Sequence, residues 1–210
     1  LTDHLIHRDE DFMVIHKPAG LLSVPGKGEA LQDSMLTRLV ALEPKTLLIH
    51  RLDRDTSGIL VFGLSRLGQN RISRQFQERQ TDKTYQALVA GALSGQGTID
   101  IPVVYDPSRP PLHMVDPQHS KPALTEWQAL EQFELAGQVV TRVKLTPITG
   151  RSHQLRVHMQ YLGHPIVGDT LYATAQHQQL TDRLCLHAQQ LSFHHPKTDE
   201  LLNFECAVPF

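Results

Sequence analysis

A chain of 210 residues in which 40% of the side chains are hydrophobic can bury a sizeable core, in one domain or in two tightly joined halves. No apolar run approaches the ~20 residues that a membrane-spanning helix needs, and no signal peptide is recognisable, so we expect a cytoplasmic protein without a membrane partner. The net charge of −2 does not favour a nucleic-acid partner by itself, and the 2 cysteines, Cys185 and Cys206, are expected to be buried core thiols, not disulfide or metal ligands.

The charges are unevenly distributed along the chain. Between Arg51 and Lys83 there are 7 basic and 4 acidic residues, a local net charge of +3. An RNA-binding protein needs only a local basic face of this kind. If this segment binds RNA, we expect the binding to be sensitive to salt.

The predicted elements begin with two short strands, residues 5–7 and 12–16, joined by a polar turn. Asp33 is predicted to cap a helix that continues to about Leu42, where a Glu-Pro pair stops it. The apolar face of that helix is predicted to contain Met35, Leu36, Leu39, Val40 and Leu42.

A polar nonapeptide, residues 50–58 (His-Arg-Leu-Asp-Arg-Asp-Thr-Ser-Gly), separates two apolar segments that predict short buried strands. The last four residues of the nonapeptide would make an ordinary turn. Arg51 and Asp53 need another explanation, because an unpaired charge at the end of a buried strand costs several kcal/mol. Perturbed charged groups of this kind concentrate at functional sites.

The next predicted element is a helix from an N-cap at Ser65 to about Arg79. At about 100° per residue, three of its arginines fall within roughly 140° of arc, opposite Ile72 and Phe76. They are Arg66, Arg71 and Arg74. The face is either an ordinary solvated helix surface or a set of phosphate contacts.

The second half of the sequence predicts strands at residues 84–90, 123–133 and 138–145, and a closing hairpin of residues 186–193 and 201–206. The proline-rich stretch 105–122 is predicted to be a surface loop. Ser152 is predicted to cap a helix with Arg156 at the border of an apolar stripe, which consists of Leu155, Met159 and Leu162. This order of elements indicates an α+β fold with a largely antiparallel sheet.

Residues 50–53 (His-Arg-Leu-Asp) and 56–58 (Thr-Ser-Gly) resemble the signature of the RluA-type RNA pseudouridine synthases. Four more segments resemble family segments in the same order: residues 17–26, 83–87, 149–158 and 162–169. The resemblance extends from about residue 10 to the C-terminus and is strongest to the small dual-specificity members. It implies the bipartite, mostly antiparallel mixed sheet of the pseudouridine synthase fold, with flanking helices and a central catalytic cleft. We expect one catalytic domain, residues 1–210, with no S4 domain.

The resemblance implies that Asp53 is catalytic, as a nucleophile at C1′ or as the base that takes the 2′ proton. It makes Arg156 the cation that keeps Asp53 ionised, with Arg151 as the alternative. It also implies that Tyr85 offers its aromatic face to the uracil and that its phenol relays the C5 proton. Leu155 is either a contact with the other side of the uracil or simply a core leucine of the helix face. The reaction is an isomerisation, so no cofactor and no metal are expected.

The resemblance also makes Arg51 the residue that fills the space left by the flipped base. The further expected RNA contacts are Arg54, Arg66, Arg71, Arg74, Lys83 and Arg151. His50 is expected to brace the loop. The expected partner is an RNA stem-loop, in 23S rRNA and in the tRNA anticodon arm, bound by a monomer.

Four alternatives to this interpretation are less well supported by the sequence. A non-catalytic RNA-remodelling protein would share the basic face and Arg51, but it does not need Asp53, Tyr85 and Arg156 together. The sequence Asp-Arg-Asp-Thr at 53–56 also resembles the nucleophile motif of haloacid-dehalogenase-type phosphohydrolases, but no later acidic pair follows. A glycosidase or a zinc site lacks supporting geometry or ligand spacing.

Overall fold

The computed structural model describes residues 4–210 and has the predicted α+β composition, a large, mostly antiparallel sheet with few helices. The chain divides into two compact units. The first contains residues up to Lys83 together with Ala188–Pro209, and the second contains Thr84–His187 and Phe210. Among the described residues, no helix is long and apolar enough to cross a bilayer.

The first unit is built on a sheet whose strands are β1 (Leu5–Arg8), β2 (Phe12–Lys17), β3 (Leu47–Leu48), β4 (Ser57–Gly63), β11 (Leu186–His194, which starts in the second unit) and β12 (Leu201–Glu205). Strand β4 lies between β2 and β11 and is buried along its whole length. The closing hairpin predicted from the sequence is confirmed by β11 and β12, which pair antiparallel. The hydrophobic core of this unit contains Phe12, Ile59, Ile72 and Phe193.

Helix α1 (Met35–Leu42) differs from its prediction at the N-terminus and on its apolar face. Ser34, not Asp33, is the N-cap: it forms a capping box with Thr37, and Asp33 instead pairs with Arg38. Only Met35 and Leu39 of the predicted face are buried. Val40 is 37% exposed and Leu42 68% exposed, because the helix is only eight residues long and offers the core one narrow face.

Helix α2 (Arg66–Gln77) begins at the predicted N-cap, Ser65, and ends two residues before Arg79. Arg79 has a φ of 58°, which cannot continue a right-handed helix. The buried amide of Gln75 donates to the backbone carbonyl of His194 (2.8 Å) and accepts from its N–H (2.7 Å). These two bonds fix the helix on β11 within the first unit.

In the second unit the four-stranded order is β5-β10-β9-β6, and each pair is antiparallel. Its strands are β5 (Asp82–Ala90, whose first two residues belong to the first unit), β6 (Gln96–Asp100), β7 (Val103–Tyr105), β8 (His113–Val115), β9 (Leu124–Leu135) and β10 (Gln138–Pro147). The predicted strands at 84–90, 123–133 and 138–145 are confirmed. The 105–122 prediction is wrong in part, because β8 lies inside it and pairs with β7 in a small separate sheet.

Helix α3 (Gln154–Tyr161) is followed by a short α4 (Ala175–Gln178). The N-cap position of α3 is His153, with φ 56°, and not the predicted Ser152. The side chain of Gln154 organises the turn before the helix, because its Oε1 accepts from the Arg151 N–H and the Thr149 hydroxyl. All residues from 154 to 159 are buried, so Arg156 lies in the interior and not at the border of a stripe.

Candidate active site

Asp53 lies in the loop that leads from β3 to β4, and its side chain is half-buried. The residues on both sides of it are tied to the segment after β2. The Ser23 hydroxyl donates to the Leu52 carbonyl (2.7 Å) and accepts from the Leu52 N–H (3.0 Å). On the other side, Arg54 Nε donates to the Gly20 carbonyl (3.1 Å). The backbone that carries Asp53 is therefore held in place before and after the carboxylate.

Lys17 is the main support beneath this loop. Its side chain is completely buried, yet its ammonium donates to three backbone carbonyls, those of Pro18 (2.8 Å), Leu21 (2.7 Å) and Arg54 (2.8 Å). A buried charge without such partners would be very costly. Lys17 thus joins the 18–21 segment to the residue that follows Asp53.

His50 braces the start of the loop, as expected from the sequence. Its Nε2 accepts from the Val61 N–H (3.1 Å), and its ring stacks on Phe76 with centroids 4.4 Å apart. Burial, with a smaller effect from the charge of Lys83, lowers the pKa of His50 to about 3. The imidazole is therefore neutral at physiological pH, with its proton on Nδ1.

Gly58 closes the loop where β4 begins. Its φ is 118°, and a Cβ at this position would collide with the backbone of Ala188. Thr56 and Ser57 before it are buried. Glycine at position 58 thus allows β4 to begin close to the backbone of β11, where a side chain would not fit.

Arg51, the expected intercalating residue, is exposed. Within residues 4–210 its guanidinium makes no hydrogen bond or ion pair, so it is available to a ligand. Arg54 is also exposed, but its Nε already donates to the Gly20 carbonyl in the segment after β2. Of these two arginines, Arg51 is the better candidate for stacking in RNA.

The three arginines of α2 are all exposed. Arg66 donates to Gln69 (3.0 Å) and Arg74 pairs with Glu78 (2.7 Å), whereas Arg71 has neither kind of contact among the described residues. Lys83 is half-buried, and burial together with the nearby charge of Arg79 lowers its pKa. The three arginines of α2 therefore form an exposed basic face, whereas Lys83, in β5, is less accessible.

The other expected catalytic residues belong to the second unit. Tyr85 is half-buried near the start of β5, and Leu155 is 7% exposed in α3. Both side chains contribute to the same hydrophobic cluster, which also contains Leu145 and Met159. Each of the two side chains therefore packs in the hydrophobic core of the second unit.

Arg156 and its rival, Arg151, lie in different environments. Arg156 is 3% exposed and forms a bidentate ion pair with Asp169, through Nε to Oδ2 and Nη2 to Oδ1, both at 2.7 Å. Arg151 is half-buried, and its Nε donates to the Pro122 carbonyl (3.1 Å). Arg156 is therefore the buried and rigidly held one of the two arginines, and Arg151 is the more accessible one.

One group of possible metal ligands lies within the first unit: Asp9, Asp11 and His195 place ligand atoms within 4.8 Å of one another. These groups already have partners. His195 bonds to Asp9 (3.1 Å), and Lys197 pairs with Asp11 (2.9 Å). The arrangement is that of an ion-pair cluster between two turns.

The two cysteines are free thiols, in agreement with the sequence interpretation. Cys185 is fully buried, and burial raises the pKa of its thiol. The expectation of two buried core thiols is wrong in degree for Cys206, which is only partly buried because β12 ends just before it.

Sequence reasoning missed the supporting residues of the site. Lys17 and Ser23 lie in the 17–26 segment that resembles the family, but no pattern in the sequence indicates that they hold residues 52 and 54. Asp169 ends another such segment, yet its pairing with Arg156, 13 positions earlier, is visible only in the structure.

Comparison with known proteins now defines the class. The sequence profile of the RNA pseudouridylate synthase family matches residues 11–161. The chain therefore belongs to this family and is an RNA pseudouridine synthase, an isomerase, which confirms the family, fold and enzyme class predicted from its motifs.

Two curated relatives and one solved structure are similar to almost the whole chain. The chain is 46% identical over 207 residues to the dual-specificity RNA pseudouridine synthase RluA of Pasteurella multocida, covering 98% of this chain and 93% of that protein. It is 42% identical to RluA of Escherichia coli K12, with the same coverage of both chains. Among solved structures, human RNA pseudouridylate synthase domain containing 1 gives a TM-score of 0.85 at 30% identity, covering 99% of this chain and 84% of that one.

Proposed function

We propose that this enzyme converts loop uridines to pseudouridine in two kinds of RNA, a stem-loop of 23S rRNA and the anticodon arm of tRNA. The observation that carries the proposal is the likeness, over 98% of the chain, to proteins named for dual specificity. Both RNAs are cytoplasmic in bacteria, so we place the enzyme there. We also propose that it acts as a monomer, a single catalytic domain over residues 1–210.

Asp53 is the proposed catalytic residue. The reaction breaks the bond between C1′ and N1 of uridine, turns the uracil and rejoins it through C5. Either the carboxylate attacks C1′, or it removes the 2′ proton to give a glycal. In both routes the carboxylate must be presented in a fixed direction, and the bonds from Ser23, Lys17 and Arg54 to the neighbouring backbone supply that rigidity.

Arg156 is the proposed cation that keeps this carboxylate charged at the moment of reaction. A guanidinium is always protonated and retains its charge when buried. Tyr85 is proposed as the platform for the detached uracil and as the relay for its C5 proton, with Leu155 on the other side of the base. These roles rest on the family pattern and on the burial and fixed geometry of the side chains within their unit.

RNA binding is proposed to use Arg51 and the basic face of α2, with Arg54, Lys83 and Arg151 as further contacts. The target base must leave its stack, which costs a few kcal/mol and least in a loop. A planar guanidinium can stack in the vacated space. The exposure of Arg51 supports this role.

The experiment that tests the function maps pseudouridine in total rRNA and tRNA from cells with and without the protein. We expect one large-subunit rRNA position and the anticodon-arm position of several tRNAs to lose the modification together. Loss in only one of the two RNA classes would contradict dual specificity. No loss in either class would contradict the substrate assignment as a whole.

A further inference from the structure

The proposed catalytic arginine is surrounded by a set of contacts that determine its orientation. Arg156 Nε and Nη2 each donate to a different oxygen of Asp169, at 2.7 Å. Such a fork-to-fork pair fixes the plane and the direction of the guanidinium, not only its distance from the carboxylate. Asp169 has no exposed surface, so this geometry is shielded from water.

Asp169 is itself held in place by its own loop. Its Oδ1 also accepts from the N–H groups of Leu171 (2.9 Å) and Tyr172 (3.2 Å). Gly168 before it has a φ of 75°, and a Cβ there would collide with the Arg183 carbonyl. The carboxylate is therefore directed at Arg156 by backbone that has little freedom to move.

The ring of Tyr172 supports the guanidinium from another side. Arg156 Cζ lies 5.1 Å from the ring centroid, within the range of a cation–π contact. The Tyr172 hydroxyl accepts from the His113 N–H (2.9 Å) and bonds to Nδ1 of His153 (2.6 Å), the residue with positive φ at the start of α3. The contact thus ties the ring to the N-terminus of the helix that carries Arg156.

We propose that Asp169 and the ring of Tyr172 are positioning residues, which hold Arg156 with one edge occupied so that its other N–H groups point in a fixed direction for catalysis. The inference rests on the proposed function of Arg156. Asp169 occupies two of the five N–H donors, along the Nε edge. A displacement of about 1 Å in such a group costs on the order of 100-fold in rate.

The test measures kcat and KM of Asp169→Asn for a stem-loop RNA by steady-state kinetics. The asparagine NH₂ would face guanidinium donors, so the bidentate pair is lost. We expect kcat to fall about 100-fold and KM to change less than about threefold, because the effect is on orientation and not on RNA binding. Asp106→Asn is the matched control: Asp106 is also buried and accepts from an arginine Nε and from the N–H two residues further on. Its kcat should stay within about twofold of wild type.

A double-mutant cycle with Arg156→Lys separates positioning from a merely structural role. Lysine cannot make the bidentate pair, so in that background Asp169→Asn should lower kcat by less than about threefold. An equal loss in both backgrounds would overturn the positioning role alone. A wild-type kcat in Arg156→Lys would overturn the proposed role of Arg156, and this inference with it.

If Asp169→Asn does not fold, as judged by circular dichroism and thermal unfolding, Tyr172→Leu takes its place in the cycle. It removes the ring from Arg156 without removing a charge. We expect about a tenfold loss of kcat in the wild-type background and almost none beside Arg156→Lys. An unchanged kcat in a folded Tyr172→Leu protein would overturn the inference.

Discussion

Ser23 is the side chain through which the structure controls the backbone just before Asp53. It is 3% exposed and makes both a donor and an acceptor bond to Leu52. Ser23→Ala should lower the free energy of unfolding by about 1–3 kcal/mol, because the Leu52 N–H and carbonyl lose their buried partner. It should also lower kcat about tenfold by loosening the loop. Urea unfolding measures the loss of stability, and steady-state kinetics measure the loss of kcat.

Ser34→Ala provides the control for this prediction. Ser34 is equally buried and caps α1, so its loss should destabilise the protein by about 0.5–2 kcal/mol. Its kcat should remain at the wild-type value, because α1 carries none of the proposed catalytic residues. A Ser23→Ala protein that is destabilised but fully active would contradict a role for Ser23 in positioning the loop.

The lowered pKa of His50 is expected to make the stability of the protein depend on pH. Its pKa is about 3 in the folded protein and about 6.5 in an unfolded chain, so the unfolded state binds the extra proton first as pH falls. The free energy of unfolding should therefore decrease from about pH 6.5 down to pH 3, by about 1 kcal/mol per pH unit in mid-range. Above pH 6.5 this histidine should contribute no pH dependence.

The measurement compares urea unfolding at pH 7 and pH 5 in wild type and His50→Gln. Glutamine can still accept from the Val61 N–H but does not titrate, so the variant should lose less stability between the two pH values. His177→Gln, at a half-buried histidine in the second unit, serves as the control and should keep the wild-type difference. An identical pH effect in wild type and His50→Gln would show that His50 is not responsible.

Single residues were predicted from the sequence only where a motif carried them. His50, Arg51 and Asp53 were found because they stand together in one short segment. Lys17, Ser23 and Asp169 were not assigned roles, because each acts through a contact between positions distant in the chain. Spacing within a sequence predicts neighbours on one helix or strand and does not predict which loop a buried lysine will support.

Helix α2 is the element from which RNA affinity is expected to come. Replacing Arg66, Arg71 and Arg74 together by glutamine should weaken RNA binding and reduce the slope of log Kd against log salt by about 2, at about 0.7 per lost phosphate contact on a single strand. The stability cost should be small, because the Arg74–Glu78 pair is exposed. Binding titrations at several salt concentrations make the measurement.

Arg38→Gln is the matched control for the arginines of α2. Arg38 is also exposed and lies on a helix of the first unit, where it pairs with Asp33. Its removal should leave the salt slope unchanged. If the triple variant retained the wild-type slope, the basic face of α2 would be an ordinary solvated surface, the alternative that the sequence left open.

Element boundaries show where sequence patterns were insufficient. Two consecutive polar residues precede both α1 and α3. In each pair the sequence predicted the first residue as the N-cap, and the structure has the second. A capping pattern identifies the helix but not which of two adjacent residues turns the chain. The strands β7 and β8 have three residues each, too few for an alternating pattern, and β8 lies in a proline-rich stretch.

At the scale of the whole molecule, the α+β class followed from the order of strands and separated helices. The family came from five short segments, and their residues lie in both compact units. The long strands and the final hairpin were predictable because they alternate or run continuously apolar. The division of the chain into two units was not predictable, because Ala188–Pro209 belongs to the first unit although more than 100 residues of the second unit precede it.

We propose above all that the carboxylate of Asp53 performs the chemistry. The measurement is pseudouridine formation in a stem-loop RNA by Asp53→Asn, with RNA affinity determined in parallel and Asp55→Asn, from the same loop, as the control. Removal of a catalytic nucleophile or base should leave no product above background, whereas RNA binding and the Asp55→Asn activity should stay within about twofold of wild type. Product formation by Asp53→Asn at a rate near that of wild type would contradict the account.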